Sequence, residues 1–297
     1  MVAMAWVGQH RGMMLLVPCD PLRPRRPDEH FASEVQAARE AGLTVAVVDH
    51  DALARGDDVG RAVASVPSGG TAIYRGWMLG SERYARFTQM LAERGVTART
   101  TGEQYRRAHE LPSWYPVLAA VTPRSTWTTT ADRADFDKAR LALGAGRVVL
   151  RDYVKSMKHY WDEAAFIPDI ADEDAAWKVA SRLRQLRDDD FVGGFVLREF
   201  ESFTSAEVRT WWVDGRCVLI GPHPDTPYDK PPGDVDLHWL TPLIGALGLP
   251  FVTADLALRA DGVWRVVEVG DGQVSDRPIS IDPATFIAAM VGAVRAG

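Results

Sequence analysis

The sequence predicts a mixed fold, with an α/β region first and an α+β region after it. In the first third, β-branched runs such as "LTVAVVD" and "TAIYRGW" alternate with helix-like stretches such as "SERYARFTQMLAERG". This rhythm is typical of a parallel sheet covered by helices. The later runs are mostly strand-like, and Asp-Gly dipeptides at 214–215 and 261–262 predict hairpin turns between them.

The chain is predicted to divide into three consecutive domains. Residues 1–120 form an N-terminal α/β domain, 121–192 a small subdomain, and 193–297 a C-terminal subdomain that contains the last strand pair. The first boundary follows from the proline- and threonine-rich stretch 111–130. The first twelve residues are interpreted as an upstream extension, with the fold beginning near Met13.

Composition excludes several classes of function. A net charge of −6 disfavours a nucleic-acid partner. No apolar run is long enough to span a membrane, and the start lacks the basic region and cleavage site of a signal peptide. Cys19 and Cys217 form no C-x-x-C motif, which favours a reducing, cytoplasmic location. Oligomeric state is open between monomer and homodimer.

The C-terminal strand pair is predicted to bind a metal ion. Counted from the turn at 261–262, Asp255 and Glu268 lie opposite each other, and opposed carboxylates repel unless a cation lies between them. Mg²⁺ fits such oxygen ligands. The alternative is that Asp255 is solvated and Glu268 pairs with Arg259 or Arg265. An arginine bound to these acids would argue against the metal.

Two further segments are candidates for nucleotide binding. Arg151, Lys155, Lys158 and His159 follow a strand in "VVLRDYVKSMKH", and cations at a strand end suit phosphate oxygens. The alternative is a solvated basic loop. The second segment, "GGFVLREFESFTSAEVRTWW" at 193–212, suits an adenosine pocket, or else is a surface strand pair with alternating acids.

In combination, these segments resemble the ATP-grasp superfamily. The motifs that carry the resemblance are "RGWM" at 75–78, "RDYVKS" at 151–156 and "GDGQVS" at 270–275, and they are similar to those of a little-characterised clade. The resemblance covers roughly residues 70 to 280. It implies an ATP-grasp fold with an N-terminal α/β (pre-ATP-grasp) domain and, as cofactors, ATP and Mg²⁺.

The resemblance also implies roles for particular residues. The residues implied to bind the nucleotide are Arg151, Lys155, Glu199, Phe200, Glu201, Glu207 and Lys230. The implied metal ligands are Asp255, Glu268 and Asp271. Arg209, Arg75 and Arg277 are the predicted catalytic residues, with Arg75 and Arg277 anchoring substrate carboxylates and Trp77 forming a wall. The alternative for Arg75 is a pair with an acid, and for Trp77 a place in the core.

Three departures from the family pattern affect these assignments. The family's metal-binding Asn falls at Gly270, so Asp271 or Gln273 must supply that oxygen. An Arg often found two residues before the metal Asp is Thr253 here, so Lys230 or Arg209 must take its place on the triphosphate. The usual glycine-rich phosphate loop is replaced by "KSMKHYW", which contains no glycine.

The implied activity is a Mg-ATP-dependent carboxylate–amine ligase that forms an acyl-phosphate and ADP. Its partners would be small carboxylate and amine substrates. Two alternatives are an ATP-grasp phosphotransferase and a nucleotide-binding module without turnover. Two minor expectations concern single residues: His223, in a proline-rich loop, is expected to be solvated, and at most one of Trp211 and Trp212 to be core.

Overall fold

The computed structural model describes residues 12–204, 206–229 and 235–292. It confirms the predicted mixed α/β architecture. The chain forms two compact units, which differ from three consecutive domains because the chain passes back and forth. Unit 1 comprises Met1–Ala108, Ala206–Asp255 and Glu268–Gly297, and unit 2 comprises His109–Ser205 and Leu256–Val267.

The first part of unit 1 is a mainly parallel sheet with helices. Its strands are β1 (Met13–Asp20), β2 (Arg23–Pro27), β3 (Thr44–Val48), β4 (Thr71–Tyr74) and β5 (Thr97–Ala98). Its helices are α1 (Ala32–Glu40), α2 (His50–Arg55), α3 (Val59–Ala62), α4 (Ser81–Glu93) and α5 (Gly102–His109). Strand β1 is central and runs parallel to β3 and β4, while β2 returns antiparallel to it.

Strand β1 is buried on both faces, as its uninterrupted apolar run predicts. Met14 and Leu16 join one core cluster, whereas Leu15 and Val17 join another. Because neighbouring strand residues point to opposite faces, helices on both sides of the sheet are needed to cover it. The sheet therefore presents its functional residues at strand ends rather than on its faces.

Unit 2 is built on an antiparallel sheet of order β6-β9-β7-β8. Its strands are β6 (Ser125–Trp127), β7 (Val148–Asp152), β8 (Phe166–Ile167) and β9 (Phe195–Glu199). Its helices include α6 (Leu111–Leu118), α7 (Arg133–Leu143) and α8 (Glu173–Arg187). The last two helices contribute Phe136, Val179 and Leu183 to the core of this unit.

The remaining elements follow unit 2 in the chain. They are β10 (Val208–Val213), β11 (Arg216–Pro222), α9 (Thr241–Leu247), β12 (Phe251–Leu258), β13 (Trp264–Asp271) and α10 (Pro283–Met290). The four strands form a sheet of order β11-β10-β12-β13. Asp214 and Gly215 both have positive φ, 47° and 78°, which confirms the first predicted hairpin turn.

The expectation for the tryptophan pair is wrong, because Trp211 and Trp212 are both fully buried. The sheet is covered on both sides at this point, and the pairing of β10 with β11 shifts register between the two residues. No helix within the described ranges is long and apolar enough to cross a membrane.

Candidate active site

The closing strand pair of unit 1 brings Asp255 and Glu268 opposite each other. Strands β12 and β13 are hydrogen-bonded neighbours joined by a short turn, so they run antiparallel. The Thr253 hydroxyl lies 3.3 Å from the Gly270 carbonyl oxygen across this pair. Two residues further along each strand, on the same face, the same register opposes Asp255 and Glu268. The count from the Asp-Gly turn predicts this register.

Asp255 is held by an arginine from the neighbouring strand β10. Arg209 donates from Nε to Asp255 Oδ1 (2.7 Å) and from Nη2 to Oδ2 (2.8 Å). His223 Nε2 lies 3.5 Å from Oδ2. Burial acts to raise the pKa of Asp255, but Arg209 and His223 outweigh it and hold the pKa at about 2. Asp255 is therefore ionised across the physiological range.

Negative charge exceeds positive charge around this ion pair. Ligand atoms of Glu207, His223 and Asp255 lie within 4.8 Å of one another. Burial lowers the pKa of the Arg209 guanidinium, but Asp255, Glu268 and Glu207 raise it further than burial lowers it. Three carboxylates against one guanidinium leave two negative charges. We call Glu207, Asp255 and Glu268 the carboxylate cluster.

The carboxylate cluster fits a divalent cation. Carboxylate oxygens are the ligands that Mg²⁺ prefers, and an imidazole nitrogen beside them also suits a divalent metal. The charge surplus equals that of one divalent ion, and the Arg209 guanidinium already lies among these acids as a monovalent stand-in. The residues present therefore fit the ion that the resemblance implies.

The arginine on Asp255 is the arrangement that the sequence argument counted against a metal site. It is, however, Arg209, one of the two cations predicted to bind phosphate, and neither of the two named in the alternative. Arg265 and Arg259 instead pair with Glu201, at 2.9 and 3.5 Å. A divalent ion bound by Asp255 would thus share or replace the Arg209 contact.

Asp271 and Gln273 are not brought to the carboxylate cluster. The Asp271 carboxylate is 1% exposed and accepts from the Gln273 backbone amide at 2.7 Å. Burial raises the pKa of Asp271 to about 7, and its charge in turn contributes to the raised pKa of Tyr84. The Gln273 side chain accepts from the Tyr74 amide (3.1 Å) and donates to the Tyr84 hydroxyl (2.9 Å). Its amide is used in packing and does not replace the metal-binding Asn expected at Gly270.

Arg75 is not placed to bind a substrate, which corrects its predicted catalytic role. It is 1% exposed, and its Nε and Nη2 donate to the two oxygens of Glu34 at 2.7 and 3.0 Å. Its Nη1 donates to the carbonyls of Gln273 (2.7 Å) and Ser275 (2.9 Å) and approaches that of Gly272 (3.5 Å). Arg75 therefore holds the "GDGQVS" turn onto the N-terminal sheet.

Arg277 and Trp77 lie nearer the surface of unit 1. Arg277 Nε lies 3.6 Å from Glu34 Oε1, and its Nη1 donates to the carbonyls of Pro278 and Ile281. Trp77 is 37% exposed and packs on His30, with ring centroids 4.4 Å apart. Trp77 is thus neither core nor beside Arg277.

In unit 2, the basic residues of the "RDYVKS" motif differ in their surroundings. Arg151 is 5% exposed, and its guanidinium donates to the carbonyls of Asp152 and Val154, which stabilises the loop after β7. Lys155 is exposed, while its backbone amide donates to Asp152 Oδ1 at 2.6 Å. Of the two, Lys155 has the side chain that can reach a phosphate without disturbing the loop.

The predicted adenosine segment follows strand β9 of unit 2. Glu199 pairs with Arg124 at 2.7 Å, and Glu201 forms a two-fold pair with Arg265. The Arg147 guanidinium lies 4.4 Å from the centre of the Phe200 ring. The two acids thus have arginine partners, and Phe200 is part of an aromatic cluster with Trp161 and Phe166.

Two residues of the predicted set need separate mention. Lys230 lies outside the described residues. His223 is not solvated as expected, since its side chain is 13% exposed and its Nε2 lies 2.9 Å from Arg209 Nη2. Strand pairing explains its position, because Val208 pairs with Pro222 and brings the next residues, Glu207 and His223, together.

Comparison with known proteins confirms the predicted family and fold. Residues 142–290 match the model of an ATP-grasp domain family, the third family of its clade. The chain is similar in structure to a RimK domain protein ATP-grasp from Sphaerobacter thermophilus DSM 20745 (18% identity, TM-score 0.62, 94% of this chain and 99% of that one). The cofactor prediction of ATP and Mg²⁺ agrees with this family.

Two further solved structures share the fold at low identity. D-cycloserine synthetase DcsG has 19% identity and a TM-score of 0.62, with 94% of this chain and 98% of that chain covered. The ATP-grasp ligase PsnB, complexed with minimal precursor, Mg and ADP, has 14% identity and a TM-score of 0.57, with 95% and 98% covered. No curated protein matches the chain.

Proposed function

Because the chain belongs to this ATP-grasp domain family, we propose that it is a Mg-ATP-dependent ligase that joins a small carboxylic acid to an amine. The observation that carries the proposal is the carboxylate cluster. Asp255 opposes Glu268 on the closing strand pair, Glu207 adjoins them, and one guanidinium leaves two negative charges in surplus. Such a surplus suits the divalent ion that accompanies a nucleotide triphosphate.

The proposed reaction has two steps. A carboxylate oxygen of the acid attacks the γ-phosphorus of ATP, the bond to the β-phosphate oxygen breaks, and ADP leaves. The amine then attacks the acyl carbon of the acyl-phosphate, loses a proton, and expels inorganic phosphate. When bound, Mg²⁺ neutralises phosphate charge in the first step.

The carboxylates act as ligands in this scheme and not as proton carriers. The low pKa of Asp255, about 2, suits that role because the group stays ionised whenever a metal is present. Arg209 is assigned to the phosphate oxygens, where its planar guanidinium would exchange one bidentate acceptor for another. It would leave Asp255 free for the metal.

The unit 2 residues keep their predicted roles as part of this proposal. Lys155 supplies charge to phosphate oxygens, and Arg151 supports the loop that carries it. Phe200, with the backbone after it, is assigned to the adenine, and Glu199 and Glu201 to the ribose hydroxyls. Both acids would exchange an arginine contact for a ribose contact.

The structural neighbours support the chemistry in general terms. One is a synthetase and another an ATP-grasp ligase solved with Mg and ADP. Their substrates belong to those proteins, and at under 20% identity they indicate the fold. The acid and the amine of this chain must be found by experiment.

The test is a screen of acid–amine pairs with separate detection of ADP and of free phosphate. A ligase releases both, in equal amounts, only when acid and amine are present together. ADP without free phosphate, with one phosphorylated acceptor, would indicate the phosphotransferase, which Gly270 at the family's Asn position keeps in view. ATP binding without any ADP would indicate the module without turnover.

A further inference from the structure

A pocket of about 280 Å³ opens on unit 1 beside the carboxylate cluster. It has a charged floor and stiff apolar walls, and the walls include four prolines. The residues that matter here are His30, Glu34, Pro222, Pro224, Asp276 and Arg277. We call it the Arg277 pocket. Its volume is at the lower end of the range for small-molecule sites.

The inner part of the Arg277 pocket carries surplus positive charge. Glu34 has a 5% exposed side chain, and both of its oxygens are taken by Arg75. Arg277, with an 18% exposed side chain, is a second cation against this already neutralised acid. Two guanidinium groups against one carboxylate leave one positive charge. A largely buried charge of this kind calls for an anion.

The Arg277 guanidinium also has hydrogen-bonding capacity to spare. Its Nη1 donates to carbonyls, and its Nη2 is 3.4 Å from the Ser33 hydroxyl, a long contact. Its buried Nε has no hydrogen-bond partner among the described residues, since Glu34 Oε1 is 3.6 Å away. A carboxylate is the acceptor that best matches a guanidinium with neutral or distant partners.

We propose that the Arg277 pocket binds the carboxylate of a small organic acid through Arg277, with the compact apolar body of the acid against the prolines. That this acid is the one activated by ATP rests on the proposed function. The pocket volume limits the body to a few carbon atoms beyond the carboxylate. A charge-neutral amide of the same shape would leave the surplus charge unpaired.

The position of the pocket fits an acid that must meet a phosphate. Pro222 and Pro224 line the pocket, while His223 between them points to Asp255 in the carboxylate cluster. One short segment therefore forms a wall of the pocket and a side of the cluster. At the rim, Asp276 pairs with His30 at 3.1 Å and offers a carboxylate to an ammonium group of an α-amino acid.

The test measures binding of small acids to the full chain without ATP. The probes are acetate, 2-methylpropanoate and L-alanine, followed by ligand-observed NMR, with 2-methylpropanamide as the uncharged control. We expect at least one acid to bind with a millimolar dissociation constant and the amide to bind at least about tenfold more weakly. Arg277→Gln should weaken acid binding at least about tenfold. Arg83→Gln, on an exposed face of α4, is the matched control and should leave binding unchanged.

Three results would overturn the proposal. They are equal binding of acid and amide, unchanged acid binding by a folded Arg277→Gln protein, and no binding of any of the three acids. Failure of the proposed function looks different. Acid binding that depends on Arg277, with no ADP formed from any acid–amine pair, would remove the ligase and leave the pocket. Acid-dependent ADP formation that Arg277→Gln does not change would remove the pocket and leave the ligase.

Discussion

Two arginine–carboxylate pairs in unit 1 have the same chemistry and different surroundings. In the Arg75–Glu34 pair, all three nitrogen donors of the guanidinium have protein acceptors, and two of those are backbone carbonyls of the "GDGQVS" turn. In the Arg209–Asp255 pair, the guanidinium lies among further acids, Glu207 and Glu268. The first pair is complete, and the second has acceptors to spare.

The comparison shows that the charge left over around an ion pair, and not the pair itself, distinguishes a structural site from a binding site. Around Arg209 the surplus is negative and suits a metal ion. Around Arg75 the surplus is positive, because Arg277 adds a second cation, and suits an anion. A sequence argument that counts any arginine on an acid as evidence against function misses this distinction.

The largest expected effect tests the negative surplus directly. Glu268→Gln keeps the shape of the side chain and removes one of the three charges, so a metal–nucleotide complex loses a ligand. We expect turnover to fall by at least about 10⁴-fold, or about 5.5 kcal/mol in activation free energy. Steady-state ADP formation measures this, and circular dichroism should show an unchanged fold. Wild-type rates would remove Glu268 from the metal site.

The second effect tests the complete pair. Arg75→Met leaves Glu34 buried without its main partner and frees two carbonyls of the turn. Breaking such a buried pair costs about 3–5 kcal/mol of unfolding free energy. Urea denaturation checks this, with Arg83→Gln as an exposed control that should change stability by less than about 0.5 kcal/mol. A loss as small in Arg75→Met would mean that the pair is not structural.

A third carboxylate, Asp271, extends the comparison to an acid without a direct arginine partner. Its pKa in the folded chain is about 7, above the ordinary value of 3.8, so the folded state holds the proton more tightly than the unfolded state. Its contribution is fully present below about pH 4 and is lost as pH rises through 7. Asp271→Asn keeps the acceptor for the Gln273 amide and cannot ionise.

We therefore expect Asp271→Asn to match the wild type in stability near pH 4. Above pH 7 it should be more stable by on the order of 2–4 kcal/mol. Unfolding curves at a series of pH values measure the difference. A constant difference across that range would show that Asp271 does not titrate between pH 4 and 7 in the folded chain.

The smallest effect concerns exchange of a guanidinium for a metal ion. Arg209→Met leaves the carboxylate cluster without its monovalent cation, so Mg²⁺ should stabilise this variant more than the wild type. At Mg²⁺ about tenfold above its dissociation constant, the gain is about 1.4 kcal/mol. Thermal unfolding with and without Mg²⁺ measures it. Arg75→Met should gain nothing extra, and equal gains in both variants would contradict the comparison.

Much of this arrangement follows from local patterns in the sequence. The parallel sheet, both Asp-Gly turns and the opposition of Asp255 to Glu268 all depend on strand periodicity and on counting from a turn. These features involve neighbours within one strand pair or one helix turn. Patterns of that length are visible in a single sequence.

His223 was missed because counting from a turn fails where a strand pair shifts register. A regular count from 214–215 would place Pro222 opposite Glu207. The irregularity between Trp211 and Trp212 moves the pairing by one residue and puts His223 there instead. The same irregularity separates the two tryptophans from simple alternation. Nothing in the local sequence marks its place.

The role of Arg75 was missed for a different reason. Its partners lie 41 residues before it, at Glu34, and 198 residues after it, at Gln273. Pairings over such distances are properties of the folded chain. The motif "RGWM" was correctly singled out, but the sequence alone does not tell whether its arginine faces a substrate or a turn of its own protein.

The contact between Thr253 and Gly270 links two of the three departures from the family pattern. A Cβ atom at 270 would lie 3.2 Å from the Thr253 hydroxyl and 3.6 Å from that of Ser275, so a side chain there would press on threonine first. Restoring asparagine at 270 alone would therefore crowd position 253. The two positions are epistatic: mutational paths that exchange one must adjust the other, and the order of the changes matters.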